Sequence, residues 1–424
     1  MHMTGYRCMS CGNAWGDDLQ EYACPSCGGN LDVTYDYELI RSLLELEPLF
    51  ASGRTDIFRY LPFLPVADTD SAPLLKVGGT PLYHAVRLGK EAGLNMVYLK
   101  DDTGNPSSSF KDRASAIVLA RARDTGARVI ACASTGNAGS SMACLAAGVG
   151  LPCVIFVPEK APPAKIAQLL IYGARVLAVR GSYDDARDLC LKVCGEKGWF
   201  NRNTGFNPFT REGKKTCSYE ICEQLEWNPP DRVVVAAGDG NIISGIWKGM
   251  KDLHAAGLID RLPRIDAAQA VGSSAISKTV HRLRDNGYVP AGDDWTGVSV
   301  ERVEADTLAD SISVDMPGDG LAAVRAVIES EGSAVTVSDE AILDAVRELA
   351  GLTGVFAEPS AAASWACLKQ MSSENIVKSD DRIVCLISGN GLKDFSSARR
   401  VAGNPEVINP CPQDAFNAVA RLGL

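Results

Sequence analysis

Three groups of residues carry types and spacings that could do chemistry. Lys111 ends the turn-rich segment Asp102-Thr-Gly-Asn-Pro-Ser-Ser-Ser-Phe-Lys-Asp-Arg113 and opens a helix-periodic stretch. A lysine is badly placed at a helix start, where the dipole favours anions, and that cost points to a purpose beyond solvation. Gly238-Asp-Gly-Asn-Ile242 leads from an apolar strand into a helix predicted to begin near Ser244, so its amides could cradle a phosphate. A plain tight turn would leave the same pattern. The strict dinucleotide motif G-x-G-x-x-G is absent, because Gly245 lies too far beyond Gly240.

The third group is Cys8-Met-Ser-Cys11-Gly and, twelve residues later, Cys24-Pro-Ser-Cys27-Gly-Gly. Paired Cys-x-x-Cys turns followed by glycine point amides at thiolates and bring four sulfurs together tetrahedrally, the spacing of a zinc ribbon. A structural zinc on Cys8, Cys11, Cys24 and Cys27 also answers a folding problem, since about 30 residues bury too little core to be stable alone. Four protein ligands would close the site to catalysis. Metal-free thiols and a redox pair are the competing readings. The other ten cysteines fall in apolar stretches and read as small buried hydrophobes, which suits a reducing cytoplasm. His2, His84, His254 and His281 show neither metal spacing nor a triad partner, leaving lysine the better candidate base.

The elements that must position these groups alternate. Apolar runs at Val97–Lys100, Val129–Ala133, Cys153–Val157, Val176–Val179, Val233–Ala237 and Ile383–Ile387 are separated by helical stretches, among them Lys111–Arg123 and Gly139–Ala147. Continuously apolar strands between helices imply an α/β fold with mostly parallel sheets covered on both faces. Ligands in such sheets bind beyond the carboxyl ends of strands. The loops Ser134-Thr-Gly-Asn-Ala138, Gly238–Ile242 and Ser388-Gly-Asn-Gly-Leu-Lys-Asp394 all stand there.

At 424 residues the chain predicts two domains plus a small module. A net charge of −10 works against a nucleic-acid partner. No apolar run is long enough to span a membrane, and the first residues lack a signal-peptide core, so a cytoplasmic location is expected.

The Lys111 segment resembles the signature Asn-Pro-Thr-Gly-Ser-Phe-Lys-Asp-Arg of the threonine synthase branch of fold-type II pyridoxal-phosphate enzymes. The resemblance runs in order through the cysteine head, Gly79-Thr-Pro-Leu82, Ser134-Thr-Gly-Asn137, Tyr183-Asp-Asp-Ala186, Glu212-Gly-Lys-Lys-Thr216, Ile246-Trp-Lys-Gly249, Glu358-Pro-Ser360 and Gly391-Leu-Lys-Asp394. It implies two three-layer α/β/α domains behind the ribbon. The ribbon spans residues 1–38, a large cofactor domain 39–105 and 205–424, and a smaller moving domain 106–204 that carries Lys111 and Asn137.

Position by position, the resemblance makes Lys111 the lysine that carries pyridoxal 5'-phosphate. Asn137 would then face the cofactor's ring hydroxyl, and Ser388 its ring nitrogen. The amides of Gly238, Asp239, Gly240, Asn241 and Ile242 would take its phosphate, and those of Ser134, Thr135, Gly136 and Asn137 the carboxylate of a small amino-acid substrate. A homodimer is the symmetric default.

The chain departs from the pattern where the family holds a second phosphate, the one on its substrate. Ala138, Thr204, Gly205 and Thr210 stand at the expected donor positions, leaving Arg211, Lys214 or Lys100 to substitute. Ser107-Ser108 replaces Thr-Gly, and Asp239 brings a carboxylate into the phosphate cradle. Three readings remain: a threonine synthase-like lyase acting on O-phospho-L-homoserine, a serine or threonine ammonia-lyase or β-replacement enzyme acting on an unphosphorylated amino acid, and a non-catalytic zinc-ribbon adaptor or sensor.

Overall fold

The computed structural model describes residues 2–46, 53–289 and 292–422. The head is a three-stranded antiparallel sheet in which Met3–Cys8 (β1) lies between Ala14–Trp15 (β2) and Leu31–Tyr35 (β3). Its sulfurs converge. One ligand atom from each of Cys8, Cys11, Cys24 and Cys27 lies within 4.8 Å of all the others. Tetrahedral zinc with bonds of about 2.3 Å needs sulfurs about 3.8 Å apart. The 3.8 Å from Cys11 to Cys24 matches that spacing, and the 3.4 Å from Cys8 to Cys27 is slightly tighter.

Two further sheets follow. The first contains Leu82–His84 (β4), Met96–Asp101 (β5), Arg232–Ala236 (β10), Arg264–Ala270 (β11), Ala334–Val337 (β12) and Arg382–Ile387 (β13), in the order β12-β11-β10-β13-β5-β4. Only the edge strand β4 runs antiparallel. The second contains Ile130–Ala133 (β6), Cys153–Pro158 (β7), Arg175–Val179 (β8) and Phe200–Asn201 (β9), all parallel, in the order β8-β7-β6-β9. Helices cover these sheets, and every residue of the central strands β6 and β10 is buried. The fold is therefore α/β with mostly parallel sheets, as expected.

Several expectations need correction. The helix placed near Ser244 starts at Asn241, because Gly240 at φ +92° makes the turn and caps it. The helix read as Gly139–Ala147 spans Asn137–Val149 and ends on Gly150 at φ +67°. The Val176–Val179 run lies in the edge strand β8 and is partly exposed. Of the ten cysteines read as buried, Cys411 is exposed, in the connection before the last helix.

Two features fix the Lys111 segment. Arg113 is fully buried, and its guanidinium donates to Asp102 at 2.6 and 2.9 Å and to both Glu220 oxygens at 2.8 Å, so the helix start is tied to neighbouring elements. The Phe110 amide donates to the Ser388 carbonyl at 2.9 Å, and the Asn390 amide to the Ser108 carbonyl at 3.1 Å. This short antiparallel bridge sets Lys111 beside the loop that follows β13. Ser108 adopts φ +60°, the left-handed region that favours the glycine usual there in the resembled family.

Candidate active site

Lys111, Gly238, Asp239, Gly240, Asn241, Ile242 and Ser388 line one cleft, together with Thr204, Lys214, Ser311 and Ser360. The cleft opens beyond the carboxyl ends of β10 and β13, the side on which ligands bind in parallel sheets.

Burial sets the chemistry of its cations. It lowers the pKa of Lys111, a nearby Glu358 carboxylate opposes the shift, and the charge of Arg202 reinforces it. Lys214 falls further, first by burial and then by the charge of Lys111, and its Nζ donates to Asn241 Oδ1 at 2.5 Å. An amine so placed is reactive only when unprotonated. Cofactor uptake by apoprotein is therefore expected to accelerate with rising pH and to level off below the 10.5 of an ordinary lysine. Stopped-flow absorbance across pH checks this, and a midpoint at or above 10.5 would contradict the depressed pKa.

The Gly238–Ile242 loop presents more free donors than the first turn of a helix alone leaves. Among the described residues, the amides of Gly238, Asp239, Gly240, Asn241 and Ile242 meet no protein acceptor. Five unsatisfied donors at the start of a helix running Asn241–Ala255 form a built anion cradle. Asp239 does not spoil it, since its Oδ1 turns to accept the Gly318 amide at 2.8 Å. Burial, and then Asp319, raise the pKa of that carboxyl.

The carboxylate loop matches its expected role only in part. The Ser134 amide is occupied by the Phe156 carbonyl at 3.2 Å, and the Gly136 amide by the Ser134 hydroxyl at 3.3 Å. Among the described residues, the amides of Thr135 and Asn137 meet no protein acceptor. Asn137 itself is engaged: its Nδ2 donates to the two Glu358 oxygens at 3.0 and 3.1 Å and to Ser311 Oγ at 3.3 Å. Glu358 lies at a helix start with its pKa raised by burial. The Glu358-Pro-Ser360 motif signalled this residue without revealing its partner.

The substrate-phosphate substitutes also sort out. Lys100 is fully buried against Glu220 at 2.7 Å, and Arg211 is clamped between Asp319 at 2.6 Å and Asp32 at 2.8 Å. Neither lines the cleft, and Lys214 does. Thr210 gives its hydroxyl hydrogen to the Asn207 carbonyl at 2.8 Å.

A buried lysine that shares a cleft with a run of free backbone amides suits a phosphate-bearing cofactor held through an amine. A family model described as pyridoxal-phosphate dependent enzyme matches residues 74–389, and the chain belongs to that family. Within it, the chain is 39% identical to the threonine synthase of Methanocaldococcus jannaschii over 98% of its own length and 99% of the relative's. It is 35% identical to the threonine synthase of Methanosarcina acetivorans, with 96% of each chain covered. Among solved structures, the processed form of threonine deaminase isoform 2 from Solanum lycopersicum superposes with a TM-score of 0.65 at 22% identity, covering 82% of this chain and 92% of that one. Maize serine racemase superposes with a TM-score of 0.59 at 21% identity, covering 81% and 94%. These two likenesses establish the shared fold. No helix among the described residues is long and apolar enough to cross a membrane.

Proposed function

We propose that the chain is a threonine synthase, a carbon-oxygen lyase that converts O-phospho-L-homoserine and water to L-threonine and phosphate. The observation carrying this reading is the near full-length match to curated threonine synthases, with Lys111 intact in the lining of the cleft. Pyridoxal 5'-phosphate, when bound, supplies a sink for the electron pair left on the substrate carbon that loses its proton.

The chain's own residues do the rest. Lys111 Nζ, its proton loosened by burial, takes and returns protons along the substrate carbons. The Gly238–Ile242 amides hold the cofactor's phosphate, with Lys214 Nζ steadying Asn241. Ser388, only 6% exposed, faces the ring nitrogen, and a hydroxyl there does not force protonation as a carboxylate would. The Thr135 and Asn137 amides take the substrate carboxylate. For Asn137 to face the ring hydroxyl, its side chain must leave Glu358. A shift of residues 106–204 against the larger domain would release it and close the cleft to water.

The four-cysteine head holds zinc in this reading, in a chain whose scattered free thiols suit a reducing cytoplasm. Its role is positional. Asn30 donates to the Gly318 carbonyl at 2.7 Å and to Asp319 at 2.9 Å, and Asp319 in turn accepts from Asn241 of the phosphate loop at 2.8 Å. Stripping the metal with a chelator is expected to lower the melting temperature and to weaken cofactor retention about ten-fold or more. Unchanged cofactor affinity in metal-free, folded protein would refute the link.

The second reading, elimination or replacement on an unphosphorylated amino acid, is favoured by the occupied Thr210 hydroxyl and the bare Gly205. Incubation with O-phospho-L-homoserine, L-threonine and L-serine separates the two. Phosphate and threonine from the first substrate support threonine synthase, while a 2-keto acid from either of the others without phosphate release supports the alternative. An adaptor built on the scaffold would show no cofactor absorbance with any of them.

A further inference from the structure

Four hydroxyl side chains line the cleft: Thr204, Ser311, Ser360 and Ser388. Thr204 is held by Arg202, whose Nη1 donates to its oxygen at 2.6 Å. Ser311 is fully engaged, its oxygen accepting from Asn137 Nδ2 at 3.3 Å and its hydrogen going to the Glu358 carboxylate. Ser360 is 3% exposed, and its Oγ accepts the Ser311 amide at 2.9 Å. A serine hydroxyl also has one hydrogen to give, and that of Ser360 reaches no acceptor among the described residues. The Ser388 hydroxyl, 6% exposed, meets no partner of either kind among them. Burying a donor without an acceptor is costly, and a ligand that accepts removes the cost.

Two contacts bring these free hydroxyls onto adjoining segments. The Glu358 amide donates to the Gly389 carbonyl at 2.9 Å, and Ser364 Oγ donates to the Leu386 carbonyl at 3.2 Å. Ser360 lies between Glu358 and Ser364, in the first turn of the helix Pro359–Ser373. Ser388 lies between Leu386 and Gly389, just past the end of β13. No carboxylate is turned to this wall: Glu358 meets Asn137 at 3.0 and 3.1 Å, and Asp239 Oδ1 accepts the Gly318 amide at 2.8 Å. Donors without a negative charge beside them suit a neutral acceptor.

We infer that Ser360 is a further cofactor-binding residue, its hydroxyl joining that of Ser388 in donating to the ring nitrogen of pyridoxal 5'-phosphate. The Ser311 amide fixes the Ser360 oxygen, so only the hydrogen has to turn toward the ring. This rests on the reading of the cleft as the cofactor's site, and it holds for either substrate proposed above.

The test titrates apoprotein, by absorbance and equilibrium dialysis, with pyridoxal 5'-phosphate and with the analogue that carries C–H in place of the ring nitrogen. Wild type is expected to prefer the natural cofactor at least about ten-fold. One nitrogen lone pair serves both donors, so either hydroxyl alone recovers much of the contact. Ser360→Ala and Ser388→Ala should therefore each weaken the natural cofactor about three-fold, and the double variant at least about twenty-fold, more than the product of the two. None of the three should bind the analogue more weakly than wild type does, and Ser360→Thr, which keeps the hydroxyl, should bind the natural cofactor as wild type does. If Ser360→Ala fails to fold, Ser360→Cys, with its weak donor, takes its place. A purely structural role for Ser360, as the acceptor of the Ser311 amide, would weaken both ligands equally, and that result overturns the inference. A double variant no weaker than Ser388→Ala, or a wild type without preference, overturns it as well. Wild type that binds neither ligand sinks the cofactor reading and the inference together.

Discussion

Lys111→Ala is expected to lower turnover at least about a thousand-fold, because in the proposed function one side chain both carries the cofactor and moves the protons. The variant should lose the lysine-linked visible absorbance while remaining folded. Its stability should change in the opposite sense. Lys111 is the first residue of the helix Lys111–Asp124, a position where the dipole disfavours a cation, and burial already lowers its pKa. Removing that charge should stabilise the apoprotein by about 0.3–1 kcal/mol. Thermal unfolding of the two apoproteins checks the sign. A marked loss of stability would show Lys111 to be structural and would undercut its reading as a residue retained for chemistry.

The second large effect is expected at Asp319, which joins the four-cysteine head to the Gly238–Ile242 loop. Its carboxylate accepts from Arg211 at 2.6 and 2.8 Å, from Asn241 at 2.8 Å, from Ser244 at 3.0 Å and from Asn30 at 2.9 Å. Asp319→Ala would leave Arg211 short of one of its two counter-charges, and breaking a buried pair in this way costs about 3–5 kcal/mol. Cofactor affinity should fall too, since Asn241 loses its anchor. Asp319→Asn, which keeps hydrogen-bonding atoms but not the charge, should restore cofactor affinity more than stability.

The same carboxylate fixes a pH dependence. Burial alone would raise the pKa of Asp319, but Arg211 and the surrounding donors hold it below the ordinary value of 3.8. A carboxyl depressed on folding contributes stability above its unfolded pKa and loses it as pH falls through the folded one. Wild type should therefore shed this contribution only below about pH 4, and Asp319→Ala should lack that segment of the acid limb. Denaturant midpoints measured at several pH values decide it.

Much of the site was legible in the sequence because its parts are local. Lys111, the Gly238–Ile242 loop and Ser388 each follow a strand or open a helix, so periodicity and turn chemistry located them, and the cleft gathers all of them. The cysteine spacing was legible for the same reason. What the sequence hid depends on contacts between distant segments. Glu358 meets Asn137 from 221 residues away, and Asn30 meets Asp319 from 289. No pattern along the chain encodes such pairs. Asn137 shows the limit well: its helix was recognised, but the partner that now holds its amide was not.

The departures were legible as departures and not as solutions. Gly205 read as a missing donor, yet only the approach of the Gly318 backbone explains why nothing larger stands there. Arg202 carried no local signal, because its lack of a carboxylate partner among the described residues is a property of the packed interior. Arg211, the nearest cation in sequence to the expected position, turned out to be clamped by Asp32 and Asp319.

The most direct test of the central claim is to run the reaction with O-phospho-L-homoserine in water enriched in heavy oxygen and to weigh both products. A lyase that expels phosphate by breaking the carbon-oxygen bond and then adds water must place the heavy atom in the threonine hydroxyl and release unlabelled phosphate. Heavy oxygen in the phosphate, with homoserine as the other product, would mean hydrolysis at phosphorus and would contradict the account.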